Sequence, residues 1–184
     1  MKLADFGLKN GINEVIGITK NKWINAAPLG IIVEDELTKV AKLKLFESHT
    51  LENLKKGSLL WVNITLDPEI FAIASFEDPG KEFYVSLDPP ILKSALAWCE
   101  FEVELKGNIA KLFLNRGEII KNEVRAVNRG FNALIEALVY ATKYIQLKKP
   151  EFVTKITECE EIIRKCGSEK EKRAFEYLKK RIRL

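Results

Sequence analysis

Histidine and methionine occur once each in the 184 residues, and the three cysteines, Cys99, Cys159 and Cys166, contain no C-x-x-C pair. That excludes a disulfide framework and leaves no ligand set for a structural zinc. Cys159 and Cys166 stand seven residues apart in one helical pattern, ~10.5 Å along its axis, so they share a face but cannot bridge. No apolar run approaches the ~20 residues of a membrane helix, and the opening Met1-Lys2-Leu3-Ala4-Asp5 lacks the apolar stretch of a signal peptide. A cytoplasmic protein is expected. Nucleophile-elbow, P-loop, H-E-x-x-H and G-x-G-x-x-G stretches are all missing, so a hydrolase has no motif behind it. What is present is a globular composition, 47% hydrophobic and 30% charged, enough for a sizeable core. Lys and Glu dominate the charged set beside a single glutamine, Gln146, a bias met in heat-adapted proteins.

Charge is uneven. Residues 1–127 carry 16 basic and 18 acidic side chains, whereas residues 128–184 carry 14 and 8. The basic end, Lys179-Lys180-Arg181-Ile182-Arg183, reads as a phosphate-binding patch or, preferably, as a last helical turn complementing the negative end of the helix dipole. A nucleic-acid surface would need aromatic residues between exposed cations, but Phe131, Phe152 and Phe175 fall on apolar stripes.

Short β-branched and aromatic runs at 15–19, 23–33, 40–46, 59–65, 83–87, 97–105 and 109–114 read as strands, separated by turn residues such as Asp78-Pro79-Gly80 and Asp88-Pro89-Pro90. Two short helices interrupt them. One covers 51–56 with Thr50 as N-cap and Gly57 as stop, and the other opens at Asp67-Pro68-Glu69. From Asn128 the apolar period becomes helical. A second helix starts at Lys149-Pro150 and stops at Gly167, and a capping box, Ser168-Glu169-Lys170-Glu171, opens a third. The expected architecture is mainly β: a barrel over 1–127, then a three-helix module over 128–184 packed on it.

Two segments invite function. Asn25-Ala26-Ala27-Pro28-Leu29-Gly30 sets small residues and a proline inside a strand pattern, which suits either a close backbone approach to a flat ligand or another chain, or a bulge at a barrel corner. Ser48-His49-Thr50-Leu51-Glu52-Asn53-Leu54 places two hydroxyls and an imidazole at a helix start, where Thr50 is either an ordinary N-cap or part of a phosphate turn.

Together, in this order and leading through Gly57 into Leu60-Trp61-Val62-Asn63, these segments resemble the FMN-binding split barrels of the flavin reductase type. With Asn13-Glu14-Val15-Ile16 and the stretch from Asn128-Arg129-Gly130-Phe131 to Lys143, the chain is similar over nearly its whole length to an uncharacterised, largely archaeal split-barrel family with a helical C-terminal module. The resemblance implies a split β-barrel and FMN as cofactor, with Asn25, Ala26, Ala27 and Pro28 lining the ring and Ser48, His49 and Thr50 holding the phosphate. Asn53 positions that turn, reaches the phosphate or lies on the helix surface. It further implies a homodimer with FMN at the interface, where Trp98 either covers the partner's flavin or is a core tryptophan. An oxidoreductase or flavin reductase using NAD(P)H or another small-molecule electron donor is expected. The alternative is a split-barrel binding or structural protein without redox activity. One departure is that no arginine lies between Asn25 and Asn53. Phosphate charge then falls to backbone N–H groups, hydroxyls, His49 or lysines such as Lys20, Lys22 and Lys44.

Overall fold

Ten consecutive residues of strand β1 (Gly11–Lys20) pair one for one with ten of β2 (Ile24–Val33), the longest uninterrupted ladder of the chain. The computed structural model describes residues 1–21 and 23–184. Further strands are β3 (Val40–Lys44), β4 (Leu59–Thr65), β5 (Tyr84–Leu87), β6 (Pro90–Leu92), β7 (Ala95–Lys106) and β8 (Ile109–Ile119). The helices are α1 (His49–Leu54), α2 (Pro68–Ala74), α3 (Arg129–Leu147), α4 (Pro150–Cys166) and α5 (Glu169–Ile182). The fold is a split β-barrel followed by a three-helix C-terminal module.

The chain divides into two compact units, Met1–Leu66 with Asp78–Glu123, and Asp67–Glu77 with Val124–Leu184. In the first, six antiparallel strands close in the order β1-β2-β3-β8-β7-β4, and β5 and β6 form a separate hairpin. Strand alternation fills the barrel: Val15, Ile31, Leu43, Leu60, Phe101 and Leu112 all belong to one buried core, as a period of two requires when one face is enclosed. Outward positions are also buried here, notably Ile16, Ile18 and Asn63, each 0% exposed. Leu3 and Phe6, from a 3-10 turn at Leu3–Phe6 that the sequence reading missed, join the barrel core.

In the second unit, α2 groups with the three C-terminal helices. Asp67 caps it, accepting the Glu69 N–H at 3.0 Å, with Pro68 in the first turn. Asn128 caps α3 through the Gly130 and Phe131 N–H groups. The capping box of α5 forms as expected between Ser168 and Glu171, leaving two otherwise orphaned donors satisfied. Leu134, Ala137, Leu138, Ile163, Phe175 and Leu178 are among this unit's buried apolar residues. Lys155, Lys172, Arg173, Lys179 and Arg181 are each paired with a glutamate, so much of the basic charge of 128–184 is already answered. Among the described residues no helix is long and apolar enough to cross a membrane.

Two local expectations need correction. Helix α1 starts earlier than 51: its N-cap is Ser48, whose side chain accepts the Leu51 N–H, and Thr50 lies inside the helix, 1% exposed. The second is β6: a turn forms at 88–89 as Asp88-Pro89-Pro90 predicts, but Pro90 also opens a short strand the sequence does not announce, in a two-stranded ribbon where a missing N–H is tolerated.

Candidate functional site

The small-residue stretch of β2 is regular strand. Its pairing with β1 continues without a register shift, Ile18 opposite Ala26, Gly17 opposite Ala27 and Ile16 opposite Pro28, which removes the bulge reading. On its other edge β2 meets β3 only at Ile31 and Ile32. Among the described residues no strand pairs with that edge over residues 24–30. Here the barrel is split. Alternate residues of an antiparallel strand turn their main-chain groups to the same side. The Ala26 N–H leaves the β1 ladder to reach Asp78 Oδ1 at 2.9 Å, so Pro28 and Gly30 face the free side with it. Pro28 brings no N–H to an edge that would leave it unpaired. The small side chains of 25–30 thus frame an open backbone edge whose one anchored donor is held by an exposed side chain.

Beneath the neighbouring turn lies a buried polar cluster. Thr19 and Asn25 are cross-strand partners at one end of the β1–β2 ladder. The Asn25 amide donates to Thr50 Oγ1 at 3.0 Å and, more loosely, to Thr19 Oγ1 at 3.5 Å; the Asn53 amide donates to Thr19 Oγ1 at 3.1 Å. All four residues are at most 6% exposed. Their hydrogen bonds tie α1 to both strands, and in a dry site each such bond is costly to break. Thr50 and Asn53 therefore hold the turn from below. Thr50→Val keeps the shape but leaves the Asn25 amide only its 3.5 Å contact with Thr19, and is expected to cost about 1–2 kcal/mol in thermal or denaturant unfolding, with Thr50→Ser restoring most of it.

The upper surface of the turn belongs to Ser48 and His49, both exposed. The Ser48 hydroxyl donates to the Phe46 carbonyl at 3.0 Å, and the His49 ring meets Trp23 edge to face, centroids 5.9 Å apart. Lys20 lies against Asp88 at 3.4 Å and Lys44 against the Phe46 ring at 5.9 Å; Lys22 lies outside the described residues.

Trp98 is not brought to this cluster. It sits on β7, opposite Asn63 of β4, and β4 and β1 separate its strand from β2 in the barrel order, a lateral offset of about 14 Å. It is 7% exposed, with the Arg116 guanidinium 5.7 Å from its ring centroid and its indole N–H without a hydrogen-bond partner. Beside it, the buried Glu100 receives the Trp61 indole at 2.9 Å, the Asn115 amide at 2.9 Å and a bidentate Arg116 at 2.7 and 3.0 Å. Arg116, aided by Trp61 and Asn115, holds the Glu100 carboxyl below the usual carboxylate range. This network pins the irregularity between Glu100 and Phe101 in the β7–β8 ladder.

Sequence reasoning missed Asp78 and Tyr84. Asp78 was read only as a turn residue and Tyr84 only as part of a strand; nothing local marks either, because Asp78 acts on Ala26 across 52 residues. The helical unit has a shallow cavity of about 500 Å³ lined by Arg125, Ala126, Val127, Asn128, Arg129 and Cys166, none of them a site residue expected from sequence.

Comparisons with known proteins place these features in context. A family model described as the N-terminal domain of a protein of unknown function, DUF447, matches residues 13–132, and the companion C-terminal model matches residues 128–180. The crystal structure of an FMN-bound protein from Methanosarcina mazei, assigned to the same family model, is 32% identical. It covers 97% of this chain, 99% of its own length is matched, and the TM-score is 0.88. Weaker likenesses are the styrene monooxygenase flavin reductase of Pseudomonas putida S12 (15% identity, 60% of this chain, 79% of that one, TM-score 0.46) and an FMN-binding protein of Thermus thermophilus with bound p-hydroxybenzaldehyde (12%, 64%, 75%, TM-score 0.46).

Proposed function

The chain belongs to the DUF447 family, and from that membership we propose that it is an FMN-binding flavoprotein, acting as a homodimeric oxidoreductase of the flavin reductase kind. The observation that carries this reading is the free edge of β2 over residues 24–30, with small side chains, a proline and a main-chain donor at Ala26. A flat ring with carbonyls along one margin suits such an edge, since it needs main-chain partners and close approach rather than bulky contacts. The FMN bound by the Methanosarcina mazei relative, similar over nearly the whole chain, supports the same ligand here.

In this reading Asn25, Ala26, Ala27 and Pro28 supply the margin of the ring site. Ser48 and His49 face the phosphate from the top of the turn, and Thr50 and Asn53 keep that turn in place from below. With no arginine between Asn25 and Asn53, the phosphate is held by hydroxyl, imidazole and main-chain donors, a softer clamp than a guanidinium fork. The Trp98 indole N–H, buried on barrel strand β7 without a partner, fits an acceptor brought from outside the chain. Trp98 enters the reading through a second copy, with its indole turned toward the flavin of the partner subunit. When bound, FMN supplies the hydride and electron transfer, with NAD(P)H or another small molecule as donor. The protein's part is to orient the ring and keep water from it.

The test is a visible absorption spectrum of the purified protein, followed by denaturation and chromatography of whatever flavin is released. Yellow protein, or apoprotein that takes up added FMN to one per chain, is the expected result, with the mass in solution measured alongside for the dimer. Colourless protein that takes up no FMN would overturn the reading.

A further inference from the structure

The cavity of the helical unit, about 500 Å³, has Arg125, Asn128, Arg129 and Cys166 in its wall. That volume falls within the range of about 300–1,000 Å³ that small-molecule sites occupy. Among the described residues no carboxylate lines it. Its two guanidinium groups are held differently. Arg125 is oriented, with its guanidinium carbon 4.5 Å from the Phe131 ring centroid, its Nη2 3.9 Å from Glu171 Oε1 and its side chain 24% exposed. The carboxylate it meets is shared, since Glu171 also accepts the Ser168 N–H at 2.8 Å, the Ser168 hydroxyl and the Asn128 amide at 3.4 Å. Arg129 is exposed and meets no carboxylate among the described residues. The same holds for Arg164 and Lys165, which precede Cys166 in the last turn of α4. Elsewhere in this unit Lys155, Lys172, Arg173, Lys179 and Arg181 each have a glutamate. Positive charge left unanswered by the chain therefore gathers around the one cavity of this unit described above.

We propose that this cavity binds the phosphate group of a small phosphorylated molecule, with Arg129 as a bidentate clamp and Arg125 as a fixed second cation. A guanidinium offers its N–H groups in a planar fork that matches two phosphate oxygens. Two such charges with no carboxylate in the wall favour a dianion over a singly charged carboxylate, because each cation adds its own Coulomb attraction. Arg125 loses little freedom on binding, since Phe131 and Glu171 already set its position. Asn128 fixes the start of α3, and with it Arg129, by accepting the Gly130 and Phe131 N–H groups. The wall carries no aromatic side chain among the described residues, so it lacks the stacking platform that a nucleic-acid strand would use. The site involves the helical unit alone and stands whether or not the barrel binds flavin.

Cys166 supplies the readout. It is half-buried in the cavity wall, whereas Cys99 and Cys159 are buried and burial raises both thiols, that of Cys99 to about 12. A neutral alkylating reagent, iodoacetamide, therefore reacts first at Cys166, and peptide mass analysis of the full chain follows that rate. Inorganic phosphate at about 20 mM is expected to slow it by about five-fold relative to chloride of the same ionic strength, as mass action gives for millimolar binding. Arg129→Gln removes the clamp, weakens phosphate by at least about ten-fold and should cut the protection to under about 1.5-fold. Its thermal midpoint in chloride should match the wild type, because the lost side chain is exposed and meets no carboxylate among the described residues. Alkylation that phosphate does not slow, or protection that survives in Arg129→Gln, would overturn the site. Stronger protection by a single-stranded oligonucleotide than by the same concentration of phosphate would assign the surface to nucleic acid and overturn it likewise.

Discussion

Gly130→Ala is expected to destabilise the helical unit by about 2–3 kcal/mol, although alanine is the better helix former by about 1 kcal/mol. A Cβ at Gly130 would lie 2.3 Å from Gly167 Cα, 2.4 Å from Gly167 N and 2.8 Å from the Cys166 carbonyl carbon. These are backbone atoms of the α4–α5 connection, so no rotamer change can make room. The start of α3 must move instead, and with it the Asn128 side chain that caps Gly130 and Phe131, a cap worth about 1 kcal/mol. Circular dichroism at 222 nm during denaturant unfolding reads the effect. A midpoint raised by the substitution would mean that helix propensity outweighs the contact, and that the two backbones do not approach so closely.

Ala27→Leu is expected to abolish flavin binding, with affinity falling by at least about a hundred-fold, while the helical unit keeps its unfolding midpoint. Ala27 stands directly opposite Gly17 and so faces the same side of the sheet. That side is crowded beside Gly17, where a Cβ would come within 2.1 Å of Leu29 Cδ1 and 3.4 Å of Leu60 Cδ1, while Ala27 itself is half-buried. A leucine at 27 has to turn toward the free edge, into the space assigned to the ring, at a packing cost of about 1–3 kcal/mol confined to the barrel. Flavin titration followed by absorbance, beside the circular dichroism spectrum, separates a blocked site from an unfolded barrel. Normal flavin uptake by this variant would move the ring elsewhere on the molecule.

Much of the site was legible because its signals are local. The run from Asn25 to Gly30 announces an unusual strand by composition alone, and the hydroxyl-rich start of α1 follows from the preference of Ser and Thr for helix ends. The capping residue was misassigned between Ser48 and Thr50 because both side chains can cap, and only the structure shows Thr50 drawn inward by Asn25. The strength of the helical periodicity from Asn128 made α3 to α5 readable, whereas the hairpin β5–β6 was half hidden by its prolines. Asp78 and Tyr84 carried no mark at all. A carboxylate in a turn is ordinary until the chain brings it to the Ala26 N–H, and a tyrosine in a strand until packing buries its hydroxyl.

Composition and periodicity by themselves settled the class of the molecule: short strands closing over an apolar core, then amphipathic helices, with no motif for hydrolysis or zinc. Those properties depend on neighbours three or four residues apart, or two along a strand, which any reader of the sequence can see. Tertiary structure alone decided that among the described residues no strand pairs with one edge of β2 over residues 24–30, that Thr19, Asn25, Thr50 and Asn53 share one dry cluster, that α2 groups with the C-terminal helices, and that Asp78 holds the Ala26 donor. Each of these joins residues far apart in the chain, where hydrogen-bond geometry and the space left by packing, rather than local preference, select the partner.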